Sequence, residues 1–266
     1  MMIRSLWTGA TGMNAMQTFI DGIGHDLTNV NTNGYKKRHL NFQDLFYQTE
    51  RASGLQGAEE GVNIPVGIEI GNGVRLAATT PVFTQGNAMQ TNVWSNMMLT
   101  DSTSFFRVTM ADGTQAYTRD GSFLVDSEGR LRTADGLALD PDPGQIPTDA
   151  NNPSITLDGR VQYIDAEGNT QTVGQINLYR FVNPAGMRPY GDNLWQRTES
   201  SGEEQEGQPG QQGFGEVRGG WVEGSNVDAV SEMVNMISAQ RAYEFNSKTI
   251  QTADSMLQTV STLKRS

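Results

Sequence analysis

Residues 225–263 read SNVDAVSEMVNMISAQRAYEFNSKTIQTADSMLQTVSTL, a stretch free of Gly and Pro in which apolar side chains return every three or four positions. Met236, Ala239, Tyr243, Asn246, Ile250, Ala253, Leu257 and Val260 form one seam, interrupted in character only by Asn246. A seam of this spacing marks a helix that packs lengthwise on another helix. Ser225 followed by Asp228 reads as a capping box that starts it. A second apolar row, Val230, Met233, Val234 and Ile237, lies off the seam and calls for a further surface to cover it.

The opposite end of the chain supplies a partner. Leu6, Gly9, Met13, Met16, Ile20, Ile23, Leu27 and Val30 repeat the spacing and predict a second long helix over residues 3–30. Gly9, Gly12, Gly22 and Gly24 fall inside it, each costing about 1 kcal/mol relative to Ala in a helix interior. Alone, this helix is expected to fray. Two such seams bury too little to order both backbones, so the ends are expected to be disordered in a monomer and ordered in an assembly. The first helix is expected to stop at Asn29-Val30-Asn31-Thr32-Asn33-Gly34, where Gly34 can take the left-handed cap conformation. Lys36-Lys37-Arg38 reads as a solvated turn or a helix-end charge complement. Phe42, Leu45 and Phe46 predict one more helical turn within 41–49, and the Gly-punctuated run 50–63 reads as an extended arm.

From Ile64 to Val222 the hydrophobic period changes to two. Strands are expected at 66–70, 74–79, 105–110, 115–119, 122–125, 130–133, 154–157, 160–164, 172–182 and 216–222. Asp112-Gly113, Asp120-Gly121, Glu128-Gly129, Asp135-Gly136, Asp158-Gly159 and Glu167-Gly168 read as the turns between them. Asp126-Ser127-Glu128-Gly129 and Asp165-Ala166-Glu167-Gly168 echo one another as a repeated hairpin style. Asp140-Pro141-Asp142-Pro143-Gly144 and the Glu/Gln/Gly-rich run 199–215 read as loops, the second as a disordered insert. The expected fold class is α+β: long N- and C-terminal helices in a coiled-coil-like pair around an all-β, hairpin-rich middle. The corresponding partition is 1–35, 36–75, 76–224 and 225–266.

Charge and composition narrow the function. The net charge is −11, and residues 76–225 hold 9 Lys and Arg against 19 Asp and Glu, while 1–75 hold 6 against 7 and 226–266 hold 4 against 4. An acidic middle argues against nucleic acid, and nearly neutral ends suit packing against copies of themselves. No segment approaches the ~20 apolar residues of a membrane span, and the N-terminus lacks the apolar core of a signal peptide. With no cysteine and only His25 and His39, thiolate and His-rich metal sites are excluded. Neither histidine sits in a triad pattern, Asp126-x-Glu128-Gly129 is only a fragment of a calcium loop, and Gly71-Asn72-Gly73 lacks the rest of a dinucleotide fingerprint. Trp195 and Trp221 read as packing residues before sugar platforms. No enzyme chemistry and no cofactor are expected.

Two signatures then identify a family. Asp26-Leu27-Thr28-Asn29-Val30-Asn31-Thr32-Asn33-Gly34-Tyr35-Lys36 resembles the N-terminal signature of the rod and hook axial proteins of the bacterial flagellum. Ser225-Asn226-Val227-Asp228, Met236-Ile237, Gln240-Arg241-Ala242-Tyr243-Glu244 and Asp254-Ser255-Met256-Leu257 resemble their C-terminal signature. Residues 42–49, Gly71-Asn72-Gly73-Val74, Thr84-Gln85-Gly86-Asn87 and 117–123 are more similar to distal-rod members than to hook or proximal-rod members. The motif residues Asn29, Asn31, Thr32, Gly34, Gln240, Arg241, Ala242 and Tyr243 carry the likeness. The resemblance implies a periplasm-spanning structural subunit of the basal body that winds into a tubular drive shaft. It implies proximal-rod and hook proteins as neighbours, ring proteins around it, and export through the flagellar type III apparatus without a cleaved signal. The expected assembly interface is Leu6, Met13, Met16, Ile20, Ile23, Leu27, Val30, Val230, Val234, Ile237, Tyr243, Ile250, Ala253, Leu257 and Val260. The alternatives are a proximal-rod or hook-type axial protein and, in a different class, a secreted β-rich binding module.

Overall fold

A computed structural model describes residues 2–51, 66–147 and 150–263. The fold is α+β, with an N-terminal and a C-terminal helix that pack together and a strand-rich middle. The chain divides into two compact units. Residues 28–37 group with the strand-rich unit. The expected arm at 50–63 lies outside the described residues except for Glu50 and Arg51, which end a short strand, Gln48–Arg51.

The first unit holds helix α1 (Met2–Thr28), helix α2 (Ala229–Leu263) and four strands from residues 38–81. Helix α2 begins later than the predicted capping box. The Ser225 hydroxyl accepts the Val227 N–H at 3.2 Å in a local turn, and the helix opens directly after Asp228, a favoured residue at that position. Two of the α1 glycines have a packing purpose. A Cβ on Gly9 would lie 2.8 Å from Ile250 Cγ1, and one on Gly12 would lie 2.8 Å from Asn246 Nδ2, so both permit the helices to approach closely. Gly24 meets nothing within 4 Å and keeps only its helix cost.

The helical turn predicted within 41–49 is a strand. Arg38–Asp44 pairs with Val74–Pro81, and Phe42 meets Phe19 of α1 edge-on at 6.1 Å. The three-and-four spacing of Phe42, Leu45 and Phe46 spans a strand and the bend after it, and strand pairing overrides a helical turn too short to be stable alone. Gln48–Arg51 pairs antiparallel with Ile68–Ile70.

The second unit is built on a nine-stranded sheet whose centre is Ser104–Thr109. That strand is buried on both faces. Phe106 and Val108 join a core with Phe123, Leu131, Leu139 and Ile176, whereas Phe105 faces Tyr117, Tyr179, Phe181 and Trp195. The second core is aromatic, with Tyr117 and Phe181 edge-to-face at 4.7 Å and Phe83 5.0 Å from Trp195. The predicted strand 172–182 is two strands, Thr170–Gln175 in a three-stranded sheet and Leu178–Phe181 in the large one, with Ile176 fully buried between them. Ala88–Gln90, Met97–Leu99, Ala138–Asp140, Arg188–Gly191 and Leu194–Gln196 are strands outside the predicted ones, each too short to show a period of two.

The run 199–215 is ordered. Glu204–Gly207 pairs with Leu178–Phe181, Ser201 is fully buried, and Phe214 enters the first core. Glu204 accepts the Tyr117 hydroxyl and an Arg107 N–H, giving an acidic segment two specific partners that composition cannot reveal.

Gly113, Gly129, Gly136, Gly159 and Gly168 share one turn geometry, with φ from +74 to +84°. In each, the glycine N–H reaches the carbonyl three residues back, which is the three-residue hairpin loop with a left-handed glycine. Asp126 and Asp165 occupy equivalent places in two of these loops. Asp126 accepts the N–H groups of Glu128 and Arg130, and Asp165 those of Glu167 and Asn169. The carboxylate that resembled part of a calcium loop is thus a turn acceptor. Asp120-Gly121 is not a hairpin turn: a Cβ on Gly121 would lie 1.5 Å from the Met97 carbonyl oxygen, so the glycine is required by a close backbone crossing.

Gly121→Ala is therefore expected to destabilise the strand-rich unit by roughly 2–4 kcal/mol, seen as a lower urea midpoint in tryptophan fluorescence. Asp126 has a second consequence. Its bonds from Arg132 and the Arg130 N–H hold its carboxyl at about 2, below the usual ~4. Its contribution is complete above about pH 4 and lost as pH falls toward 2, so Asp126→Asn should flatten the acid limb of stability over that window.

Candidate assembly interface and its anchor

The helical pair places the expected interface residues on distinguishable faces. Ile23, Ala239 and Ala253 are buried, and Leu6, Met13, Met16, Ile20, Leu27, Ile250 and Leu257 are half-buried. Tyr243 and Val260, assigned to the seam, are exposed at 38% and 51%. Val30 lies past the end of α1, half-buried in a turn of the other unit. Val230, Met233, Val234 and Ile237 are exposed at 71%, 54%, 58% and 58%. At about 100° per residue, that row lies on the side of α2 roughly opposite Ala239, Ile250 and Ala253. Helix α2 is thus apolar on two sides, with one occupied within its own unit.

The motif residues separate into two groups. Gln240 and Arg241 are exposed, Arg241 pairs with Glu244 at 3.0 Å, and Ala242 is half-buried. Asn29, Thr32 and Gly34 form the turn after α1. The Thr32 N–H and hydroxyl both donate to Asn29, the Tyr35 N–H donates to the Thr32 carbonyl, and Asn31 is exposed. Gly34 has φ +69°, and a Cβ there would lie 2.5 Å from the Asp120 nitrogen. Its N–H donates to the Glu223 carbonyl at 2.8 Å. The left-handed glycine anticipated as a helix cap instead seats this turn against the strands.

The turn leads into a buried charge cluster that sequence reading missed. Lys36, read as part of a solvated patch, has its side chain fully buried. Its Nζ donates to Glu223 Oε1 at 2.6 Å and to the Thr84 carbonyl at 2.7 Å. Glu223 Oε1 also accepts the Gly86 N–H at 2.8 Å, while Oε2 accepts Arg119 Nε–H at 2.9 Å and has Arg119 Nη2 as an ion-pair neighbour at 2.8 Å. Arg119 donates its remaining bonds to the Ser104 and Asp101 carbonyls. Every polar position of the carboxylate is therefore used, the condition under which a buried ion cluster is tolerable. Burial, with Arg119 adjacent, pushes Lys36 down to about 8, against the pull of Glu223.

Asn226 completes the arrangement. Its Oδ1 accepts the Lys37 N–H at 2.8 Å, and its Nδ2 donates to the Val82 carbonyl at 2.7 Å and Thr84 Oγ1 at 3.0 Å. The chain passes between its two units after residues 27, 37, 80 and 228. One amide side chain thus binds beside three of those four passages. Lys36 ends the N-terminal motif and Glu223 stands two residues before the C-terminal one, but separation by 187 residues hid their pairing. Among the described residues no group of three or more His, Asp or Glu is arranged to hold a metal, and no helix is long and apolar enough to cross a membrane.

Comparison with known proteins matches the C-terminal motif segment and part of the strand-rich unit. Residues 218–263 match the family described as flagellar basal body rod FlgEFG protein C-terminal, and residues 101–163 match the flagellar hook protein FlgE/F/G D1 domain. The chain is 43% identical over 267 residues to the flagellar basal-body rod protein FlgG of Borreliella burgdorferi, covering 99% of this chain and 100% of that one. It is 39% identical over 268 residues to FlgG of Bacillus subtilis, covering 99% and 100%. Likeness to the flagellar hook-basal body complex protein FlhP of the same organism is lower, 28% over 272 residues.

The cluster generates a graded expectation. Glu223→Gln leaves Lys36 and Arg119 facing each other without an anion and should cost about 3–5 kcal/mol. Lys36→Met keeps the two-point Arg119–Glu223 pair and should cost at most about 2 kcal/mol. Lys36→Met should also remove a rise in stability between about pH 8 and 10, because the unfolded chain holds the lysine proton longer. Urea titrations of the full chain at several pH values measure both.

Proposed function

The chain belongs to the FlgG family of flagellar basal-body rod proteins, and we propose that it is the distal-rod subunit, self-assembling into a helical tube that carries torque from motor to hook. The observation that carries this reading is the double-sided α2. One apolar side packs within the chain, and the other leaves Val230, Met233, Val234 and Ile237 more than half exposed over two helical turns. A monomer rarely leaves such a row uncovered without a partner for it.

The interface we propose runs along both helices. Leu6, Met13, Met16, Ile20, Ile23, Leu27, Ile250, Ala253 and Leu257 serve the pair. Val30, Tyr243 and Val260 lie at its margins, and Val230, Val234 and Ile237 meet neighbouring copies. The likeness to FlgG supports proximal-rod and hook proteins as end neighbours, ring proteins around the tube, a periplasm-spanning position and export by the flagellar apparatus. The protein acts by packing, with no bond made or broken. The helical ends gain their full order in the assembly, because the exposed row is covered only there.

Removing residues 229–266 should leave a folded strand-rich unit that does not polymerise, checked by circular dichroism and sedimentation. Incorporation of that truncated chain into rods would overturn the reading. Ile250→Asp and Leu27→Asp should abolish assembly through the pair. Val234→Asp should do so with the monomer's circular dichroism unchanged, since Val234 is already exposed.

A further inference from the structure

Phe46 is 93% exposed, the most exposed of the large apolar side chains described. It is not on a loose loop. The preceding residue, Leu45, donates its N–H to the Gly73 carbonyl at 2.9 Å, and the Phe46 carbonyl accepts Asn72 Nδ2 at 2.7 Å. Gly73 in turn has φ +111° and lies where a Cβ would be 2.2 Å from Thr11 Oγ1, so the bend is seated on α1. Tyr47 beside it is 55% exposed and rests on Gly71. A fixed backbone thus holds an aromatic ring out in water. The ordering cost of its backbone is already met, which favours its use as an aromatic anchor.

The same unit has an open cavity of about 380 Å³, bounded by Thr8 and Gly9 of α1, Ile70 and Gly71, and Asn246 and Thr249 of α2. Arg4 and Ser5 also line it, and most of its accessible wall is apolar. A dry cavity of ~150 Å³ accommodates one benzene ring. This one has room for a phenyl ring with its Cβ and backbone approach. The cavity adjoins the α1–α2 contact at Gly9 and Asn246, so an occupant there extends the helical interface without a break.

We infer that Phe46 of one copy inserts into this cavity of a second copy. The inference rests on the assembly reading above and adds a specific contact to it. Knob and cavity are different surfaces of one chain, so the contact is head-to-tail, and it propagates as an open helix, as a tube requires, when its rotation does not close a ring. The exposed α2 row provides area, and Phe46 provides the axial fit.

The test places a photo-reactive benzoylphenylalanine at position 46 of the full chain. Rods are assembled from a mixture of nitrogen-15-labelled and unlabelled copies, and the cross-linked peptides are identified by mass. Mixed-label peptides joining position 46 to residues 4–9 or 246–249 are expected. Mixed-label peptides joining it to 230–237, or adducts within one copy only, would overturn the insertion while leaving assembly intact. Failure of the unmodified chain to polymerise would overturn the assembly reading itself. In parallel, Phe46→Ala should raise the concentration needed for assembly about tenfold or more with an unchanged monomer, and an unchanged threshold contradicts the inference.

Discussion

The carboxylate of Glu223 is the constraint around which the strand-rich unit closes. A buried anion in a medium of low polarisability must be matched on all sides, and here each match comes from a different segment: Lys36, Gly86 and Arg119. Arg119 then extends the requirement to Ser104 and Asp101, at the start of the central strand. Apolar packing of the two cores supplies the bulk of the stabilisation but tolerates small shifts. The ion cluster does not, because a displaced partner leaves an unmatched charge. It therefore selects one register for segments that are distant in sequence, and Gly34 and Gly86 keep the backbones close enough to satisfy it. Asn226 adds the same demand in neutral form, tying Lys37, Val82 and Thr84 at the places where the chain leaves the unit.

The helices follow a contrasting logic. The α1–α2 pair closes on glycine slots, with Gly9 opposite Ile250 and Gly12 opposite Asn246. Glycine costs each helix conformational entropy and returns close approach. The surplus apolar row on α2 is the reason such a helix is suited to assembly: a side that cannot be satisfied within the chain remains available to a neighbour. The placement of charge agrees with this, since the acidic excess lies in residues 76–225 while the helical ends are nearly neutral.

The features legible in the sequence were those with local causes. Helical seams, left-handed glycines in hairpin loops and alternating strands each follow from a few neighbouring residues, and the α+β class followed from them. The errors share a different origin. Lys36 looked solvated because its anion lies 187 positions away. The 199–215 run looked disordered because its composition is polar, yet Phe214, Ser201 and Glu204 each have a partner elsewhere. Gly121 looked like a hairpin turn because a carbonyl crossing from Met97 is invisible to local spacing. The segment 41–49 looked helical because a strand and the bend after it can imitate a period of 3.6.

Exposure on a rigid support is common to the α2 row and to Phe46. Val230, Val234 and Ile237 stand on a helix, and Phe46 stands on a bend whose backbone bonds are made. In both cases the ordering cost is met within the chain, so association has mainly to offset lost translation and rotation. A shaft that transmits torque needs interfaces that resist sliding. A smooth apolar row resists it poorly, since one helical turn resembles the next, whereas a ring held in a cavity fixes position along the axis. The combination of a long greasy face with a single inserted aromatic supplies adhesion from the first and registration from the second.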